Sequence, residues 1–172
     1  MIGLGFAVTL SFSPLVSCII KVAVLGVGAL GQHHARIYSV LQEAGKLEFV
    51  GLYDANTDRA SEIAKKHKTQ VFASLDAVVG AADALSIVTP TTTHFDLATQ
   101  ALEAGIHVLV EKPMTEEASQ ASKLVQLAQD KNCVLQVGHV ERFNPVFDYL
   151  QSVATEPRFI ETHRLSPYPK RS

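Results

Sequence analysis

The stretch Ile19-Ile20-Lys21-Val22-Ala23-Val24-Leu25-Gly26-Val27-Gly28-Ala29-Leu30-Gly31 decides how the rest of this 172-residue chain reads. Residues 19–25 form an apolar run broken only by Lys21, as expected of a strand buried on both faces of a parallel sheet. The run enters Gly-x-Gly-x-x-Gly, and residues 28–43 continue with a helical pattern stopped by Gly45. In a strand–turn–helix of this kind the first glycine permits the tight turn. The second lets backbone approach a pyrophosphate, and the third lets the helix pack closely on the strand. The exposed N–H groups of the turn and the positive end of the helix favour an anion. Gly26, Val27, Gly28, Ala29, Leu30 and Gly31 are therefore the first candidates for cofactor binding.

Working outward, strand and helix patterns alternate to residue 137. Further strands are expected at 47–53, 70–73, 84–88, 107–110 and 134–137. Helices are expected at 57–67 (capped by Asn56 or Thr57), 74–79 (opened by a Ser cap), 93–103 (closed by Gly105) and 115–131 (capped by Thr115). Alternation with short loops implies an α/β fold with a doubly wound parallel sheet. Six strands behind a glycine-rich first turn give an NAD(P)-binding Rossmann fold, whose ligand lies at the carboxyl ends of the strands, near the switch point between the first and fourth.

The residues at those ends carry the chemistry. Asp54 follows the second strand, 23 positions after Gly31, where an acid binds ribose hydroxyls. A carboxylate there repels an extra phosphate, which favours NAD, while Arg59 nearby keeps NADP open. Thr89, Pro90, Thr91 and His94 follow the fourth strand and open a helix beside the cofactor. Glu111-Lys112-Pro113 follows the fifth. Lys112 stands where nicotinamide and substrate meet, and a lysine there can steady a developing alkoxide or assist proton transfer. His139, Arg142 and Asn144 follow the sixth strand and are candidates for a polar or anionic substrate; Asn144-Pro145 also reads as a helix N-cap and first residue. His33 and His34 are adjacent, so they do not share a helix face, and they read as helix-surface residues rather than a metal pair.

Composition excludes other classes. Hydrophobic residues make up 47% and the net charge is −2, which is neither a disordered chain nor the basic face of a nucleic-acid binder. Cys18 and Cys133 form no CxxC pair and read as buried free thiols in a reducing cytoplasm, with no metal site. Residues 2–20 carry no charge, yet no Lys or Arg precedes the run and Pro14 interrupts it. Residues 1–18 are accordingly expected to be a leader outside the fold, and membrane association is not expected.

Two segments resemble a known family. Ile87-Val88-Thr89-Pro90-Thr91-Thr92-Thr93-His94 and Ala101-Leu102-Glu103-Ala104-Gly105-Ile106-His107-Val108-Leu109-Val110-Glu111-Lys112-Pro113 look like the Gfo/Idh/MocA oxidoreductases, named for glucose–fructose oxidoreductase and inositol dehydrogenase. Within it, Gly138-His139-Val140-Glu141-Arg142-Phe143-Asn144-Pro145 is similar to the UDP-N-acetylglucosamine 3-dehydrogenases and nearby sugar-nucleotide enzymes. The resemblance implies NAD(P)-dependent oxidation of a sugar hydroxyl to a ketone. It places Gly26, Gly28 and Gly31 on pyrophosphate, Asp54 on adenosine ribose, Thr89, Thr91 and His94 along the cofactor, and Glu111 and Lys112 by the nicotinamide. Lys112 then contacts the reacting hydroxyl and is the catalytic candidate.

Members of that family are generally about twice this length. Their second domain supplies a substrate floor, a subunit interface and commonly an Asp-x-x-x-His motif, which the last residues here do not contain. The expected division is a leader (1–18), a Rossmann domain (19–150) and the start of a truncated α+β domain (151–172), with 158–165 as its first strand. In its full form such a protein is expected to be a homo-oligomer acting on a sugar or sugar nucleotide. The alternative is a non-catalytic NAD-binding fragment, or half of a split enzyme.

Overall fold

A computed structural model describes residues 19–153, 156, 158–163 and 165. The expected leader, Cys18 included, and the last seven residues lie outside the described ones. Two compact units divide at Gly138/His139, ahead of the 150/151 boundary read from the sequence.

The first unit is a five-stranded, all-parallel sheet: β1 (Lys21–Leu25), β2 (Glu48–Tyr53), β3 (Ala84–Ile87), β4 (His107–Val110) and β5 (Leu135–Val137), in the order β2-β1-β3-β4-β5. Alternate residues of each strand serve opposite faces. Val22 and Val24 join Phe49 and Leu52 under α1 (Gly31–Glu43) and α2 (Thr57–His67). Ala23, Leu25, Leu85, Ile87, Val108 and Val110 pack under α3 (Leu75–Val79), α4 (Thr91–Glu103) and α5 (Ala118–Asp130). Burial on both faces explains the near-continuous apolar strands. The chain reverses its direction of travel across the sheet at β1, so the crevice between the ends of β1 and β3 is the switch point.

The third of the six expected strands is a correction. Residues 70–73 contribute one bridge, Val71 to Leu52, outside any strand. Leu52 makes both backbone bonds, to the Gln70 carbonyl and from the Phe72 amide. Beyond it, the Thr69 hydroxyl and the Gln70 side-chain amide bond the Phe49 and Val50 carbonyls, so side chains replace the ladder.

Helix starts also differ in detail. Asn56 and Ser74 cap α2 and α3 as expected, accepting from the amides of Arg59 and Ala77. The long helix begins at Ala118 rather than Thr115, because Glu117 and Gln120 form a reciprocal capping box. Thr115 instead donates its hydroxyl to the Glu117 carbonyl. Cys133 is a free thiol, half-buried rather than fully enclosed.

The second unit opens with a 3₁₀ turn, Val140–Phe143, followed by α6 (Pro145–Val153). Asn144 Oδ1 accepts from the Val146 amide, as an N-cap should. None of the described residues of 158–165 is in a strand, contrary to expectation. Among the described residues no helix is long and apolar enough to cross a membrane.

Candidate functional site

The carboxyl end of β1 turns at Gly26, whose φ of +84° is a left-handed conformation suited to glycine. A Cβ there would lie 2.7 Å from the Val88 carbonyl oxygen, so the turn rests directly on the end of β3. A Cβ on Gly31 would fall on the Gly26 carbonyl, which is the close helix–strand contact the third glycine allows. Gly28 is different: its Cβ would meet nothing within 4 Å. Its hydrogen faces open space, as required where a ligand's phosphates approach. Gly28, Ala29 and Leu30 are exposed ahead of the first turn of α1, which starts at Gly31 and not at Gly28.

Val27 does not share that exposure. Its side chain is buried in the α1–α2 core, and its amide donates to Asp54 Oδ2 at 2.7 Å. The other oxygen of Asp54 accepts from the Asn56 amide at 2.8 Å. The carboxylate is thereby fixed at the end of β2 with lone pairs remaining for hydroxyl donors. Arg59, one helical turn on, donates from Nε to the Val27 carbonyl at 3.2 Å and pairs with Glu62 at 2.7 Å.

These elements open a cleft of about 620 Å³ whose walls include Gly26, Gly28, Asp54, Thr89, Pro90 and Leu97. Residues from the ends of β1, β2 and β3 therefore meet in one crevice, at the place the topology assigns to a ligand. Thr93 Oγ1 lies 2.7 Å from Thr89 Oγ1 and 2.8 Å from the Pro90 carbonyl, pinning the turn into α4. Thr91 is the first residue of α4 and is half-buried.

His94 occupies a different place from the one expected. It is 1% exposed, with Nε2 2.9 Å from the Thr89 carbonyl and Nδ1 2.9 Å from the Pro113 carbonyl. No ring nitrogen faces the cleft. The histidine ties the loop after β3 to the loop after β4.

Glu111 is 6% exposed, and its Oε2 accepts from the Lys112 amide at 3.2 Å. The Lys112 side chain is exposed at the same carboxyl edge of the sheet. His34 is the residue that sequence reasoning misplaced. It is not a helix-surface group: Nδ1 is 2.7 Å from Ser86 Oγ and Nε2 is 3.3 Å from Glu111 Oε1. Burial drives its pKa below the ordinary value, and the Glu111 carboxylate partly restores it. The signal available was Ser86, a hydroxyl inside an otherwise apolar strand, with His34 and Tyr38 four residues apart on one helix face.

His139 and Arg142 are exposed in the second unit, and Asn144 there caps α6 and also donates to Glu141 at 3.1 Å.

Comparison with known proteins adds an independent line. Residues 20–139 match the model of an oxidoreductase family described as an NAD-binding Rossmann fold, Gfo/Idh/MocA. Over 153 residues the chain is 40% identical to UDP-N-acetylglucosamine 3-dehydrogenase of Acidithiobacillus ferrooxidans, covering 88% of this chain and 47% of that protein. It is 32% identical to scyllo-inositol 2-dehydrogenase (NAD(+)) of Bacillus subtilis, covering 74% of this chain and 38% of that one. A solved structure of the Acidithiobacillus enzyme superposes with a TM-score of 0.73 at 39% identity, over 79% of this chain and 42% of that chain. GenD2 from gentamicin A biosynthesis, in complex with NAD, superposes with a TM-score of 0.74 at 27% identity, over 80% and 39%. The chain thus spans under half the length of these relatives.

Proposed function

Because the chain belongs to the Gfo/Idh/MocA family of NAD-binding oxidoreductases, we propose that it binds NAD in the cleft between β1, β2 and β3 and serves hydride transfer from a sugar hydroxyl. The observation that carries this reading is Asp54. Its carboxylate is locked by two amides, one from the glycine turn itself, beside a glycine whose missing Cβ leaves open space. A dinucleotide fits this donor set: amides and a helix N-terminus for pyrophosphate, and a fixed carboxylate for vicinal ribose hydroxyls. NADP is the lesser fit, since Asp54 repels a phosphate and Arg59 is already paired with Glu62.

When bound, the nicotinamide supplies the hydride acceptor. The chain's own task is to orient and to move the proton. Lys112 Nζ hydrogen-bonds the reacting hydroxyl and takes up its proton as the carbon loses hydride, so that the oxygen passes to a carbonyl. Glu111 and His94 hold the loop on which Lys112 sits. The substrate proposed is a sugar nucleotide oxidised at its 3-hydroxyl, a UDP-N-acetylhexosamine, on the strength of the 40% identity to the Acidithiobacillus enzyme. His139 and Arg142 are the proposed contacts to its polar groups, with Asn144 shaping that loop. The free, half-buried thiol of Cys133 supports the cytoplasm as its compartment.

The test is titration of the full chain with NADH by calorimetry, followed by assay with NAD and UDP-N-acetylglucosamine against scyllo-inositol. Micromolar NADH binding that weakens in Asp54→Ala is expected; no binding overturns the cofactor reading. Binding without turnover of either substrate supports the second reading, a cofactor-binding half that needs further polypeptide, which the 47% span of the relative favours.

A further inference from the structure

Glu111 poses a problem that the cofactor cleft does not solve. It is a nearly buried carboxylate at the carboxyl end of a parallel strand, and such a group requires partners for both oxygens. One oxygen takes the Lys112 amide. The other faces His34 Nε2 at 3.3 Å, from α1 across the sheet. Gly138, at the end of β5, leaves this arrangement its room: a Cβ there would strike Glu111 Oε1.

The far side of His34 fixes which nitrogen carries the hydrogen. Its Nδ1 lies 2.7 Å from Ser86 Oγ. A carboxylate only accepts, so the partner at Nε2 must be an N–H. A neutral imidazole then has Nδ1 as acceptor, filled by the Ser86 hydroxyl. The chain Ser86 to His34 to Glu111 runs in one direction.

We propose that His34 is a positioning residue: its Nε2–H holds the Glu111 carboxylate, which holds the Lys112 amide, so the backbone carrying Lys112 is set from α1. His94 holds the adjoining Pro113 carbonyl from α4, on the opposite face of the sheet. The loop is gripped by one histidine from each face, and neither touches the cleft. The importance of this grip for turnover rests on the proposed role of Lys112; the grip itself does not.

Two measurements on the full chain test it. In the wild-type protein, nitrogen-15 shifts of the His34 ring are expected to show the Nε2–H tautomer; an Nδ1–H tautomer overturns the proposal whatever any variant does. Amide exchange at Lys112 is expected to speed up at least tenfold in His34→Ala, with Ala23 and Leu52 in the sheet unchanged. His34→Gln, which keeps a donor near Nε2, should restore slow exchange. Unchanged exchange at Lys112, or parallel loss at Ala23 and Leu52, removes the positioning role. NADH titration run alongside separates the two readings, since absent binding with the expected tautomer and exchange sinks the cofactor and leaves the grip standing.

Discussion

Asp54 and Val27 lie 27 residues apart in sequence, and the carboxylate of one holds the amide of the other at 2.7 Å. The acid at the end of β2 is thus part of the glycine turn as well as the proposed partner of the ribose. Replacing it by alanine removes the acceptor of two amides together with that proposed partner. We expect Asp54→Ala to lower stability by about 1–3 kcal/mol, since the partly buried Val27 N–H loses its partner, while the exposed Asn56 N–H can turn to water. NADH affinity should fall by about tenfold to a hundredfold, roughly 1.4–2.8 kcal/mol, as read by calorimetry. The ratio of NADPH to NADH affinity should rise, because the repelling charge is gone. An unchanged ratio would show that Asp54 does not face the ribose.

The three glycines separate folding from binding. Gly26→Ala places a Cβ 2.7 Å from a backbone carbonyl at φ +84°, so at least ~1–2 kcal/mol of left-handed strain adds to a clash that nothing flexible relieves. A large drop in Tm is expected. Gly28→Ala meets nothing within 4 Å. Its Tm should stay within a few degrees of wild type while NADH binding is lost. Equal loss of stability in both variants would contradict this division.

How far the sequence carries can be seen at single residues. The turn, Asp54 and the Glu111-Lys112-Pro113 loop were legible because hydrophobic period and glycine spacing are local signals, and the parallel topology brings strand ends to one edge. His94 was not legible. With a helix start at Thr93 it would sit in the first turn at the surface. The actual start at Thr91 carries it into the second turn, where it is buried. The His34–Ser86 contact joins residues 52 apart, and no local period encodes it. The strand expected at 70–73 failed for a related reason: side chains of Thr69 and Gln70 take carbonyls that a strand's amides would have taken.

His94 bridges two loops from within the core, which makes it a stability residue with a functional consequence. His94→Ala leaves the Thr89 and Pro113 carbonyls without their imidazole and opens a cavity. We expect a loss of about 2–4 kcal/mol, measured by urea unfolding. In the folded fraction NADH should bind several-fold more weakly, because Thr89 lines the cleft. Full stability in this variant would mean the two loops are held by other contacts.

Acid should weaken the fold through His34. Its pKa is lowered from the ordinary 6.5 by burial, against the raising effect of Glu111, so the folded state binds the proton less readily than the unfolded one. Stability from this group is complete above the unfolded value of 6.5 and is lost as pH falls toward the folded value. His67, partly buried, is shifted in the same direction and adds a slope of the same sign. Unfolding free energy measured from pH 7.5 downward should therefore decline below about 6.5, the reference value for histidine. The decline should be shallower in His34→Gln, which cannot titrate. A slope identical to wild type would assign the acid sensitivity to other groups.

Lys112 offers the sharpest separation of chemistry from binding. Its side chain is exposed, so Lys112→Ala costs the fold little, and its amide keeps the Glu111 carboxylate as acceptor. The lysine is proposed to take the proton of the reacting oxygen as hydride leaves, a transfer made only in the transition state. Loss of an interaction made in the transition state lowers kcat and leaves cofactor affinity nearly untouched. Removing a positioned proton-transfer group typically costs about a hundredfold to ten-thousandfold in kcat. With NAD and a sugar nucleotide that the wild-type chain turns over, Lys112→Ala should show a drop of that order, with the NADH dissociation constant within about threefold of wild type, a change of under 1 kcal/mol. Lys112→Arg should recover little, because a guanidinium stays protonated and cannot take up the proton. Turnover at the wild-type rate in Lys112→Ala would take the lysine out of the reaction and leave the loop with a structural task alone.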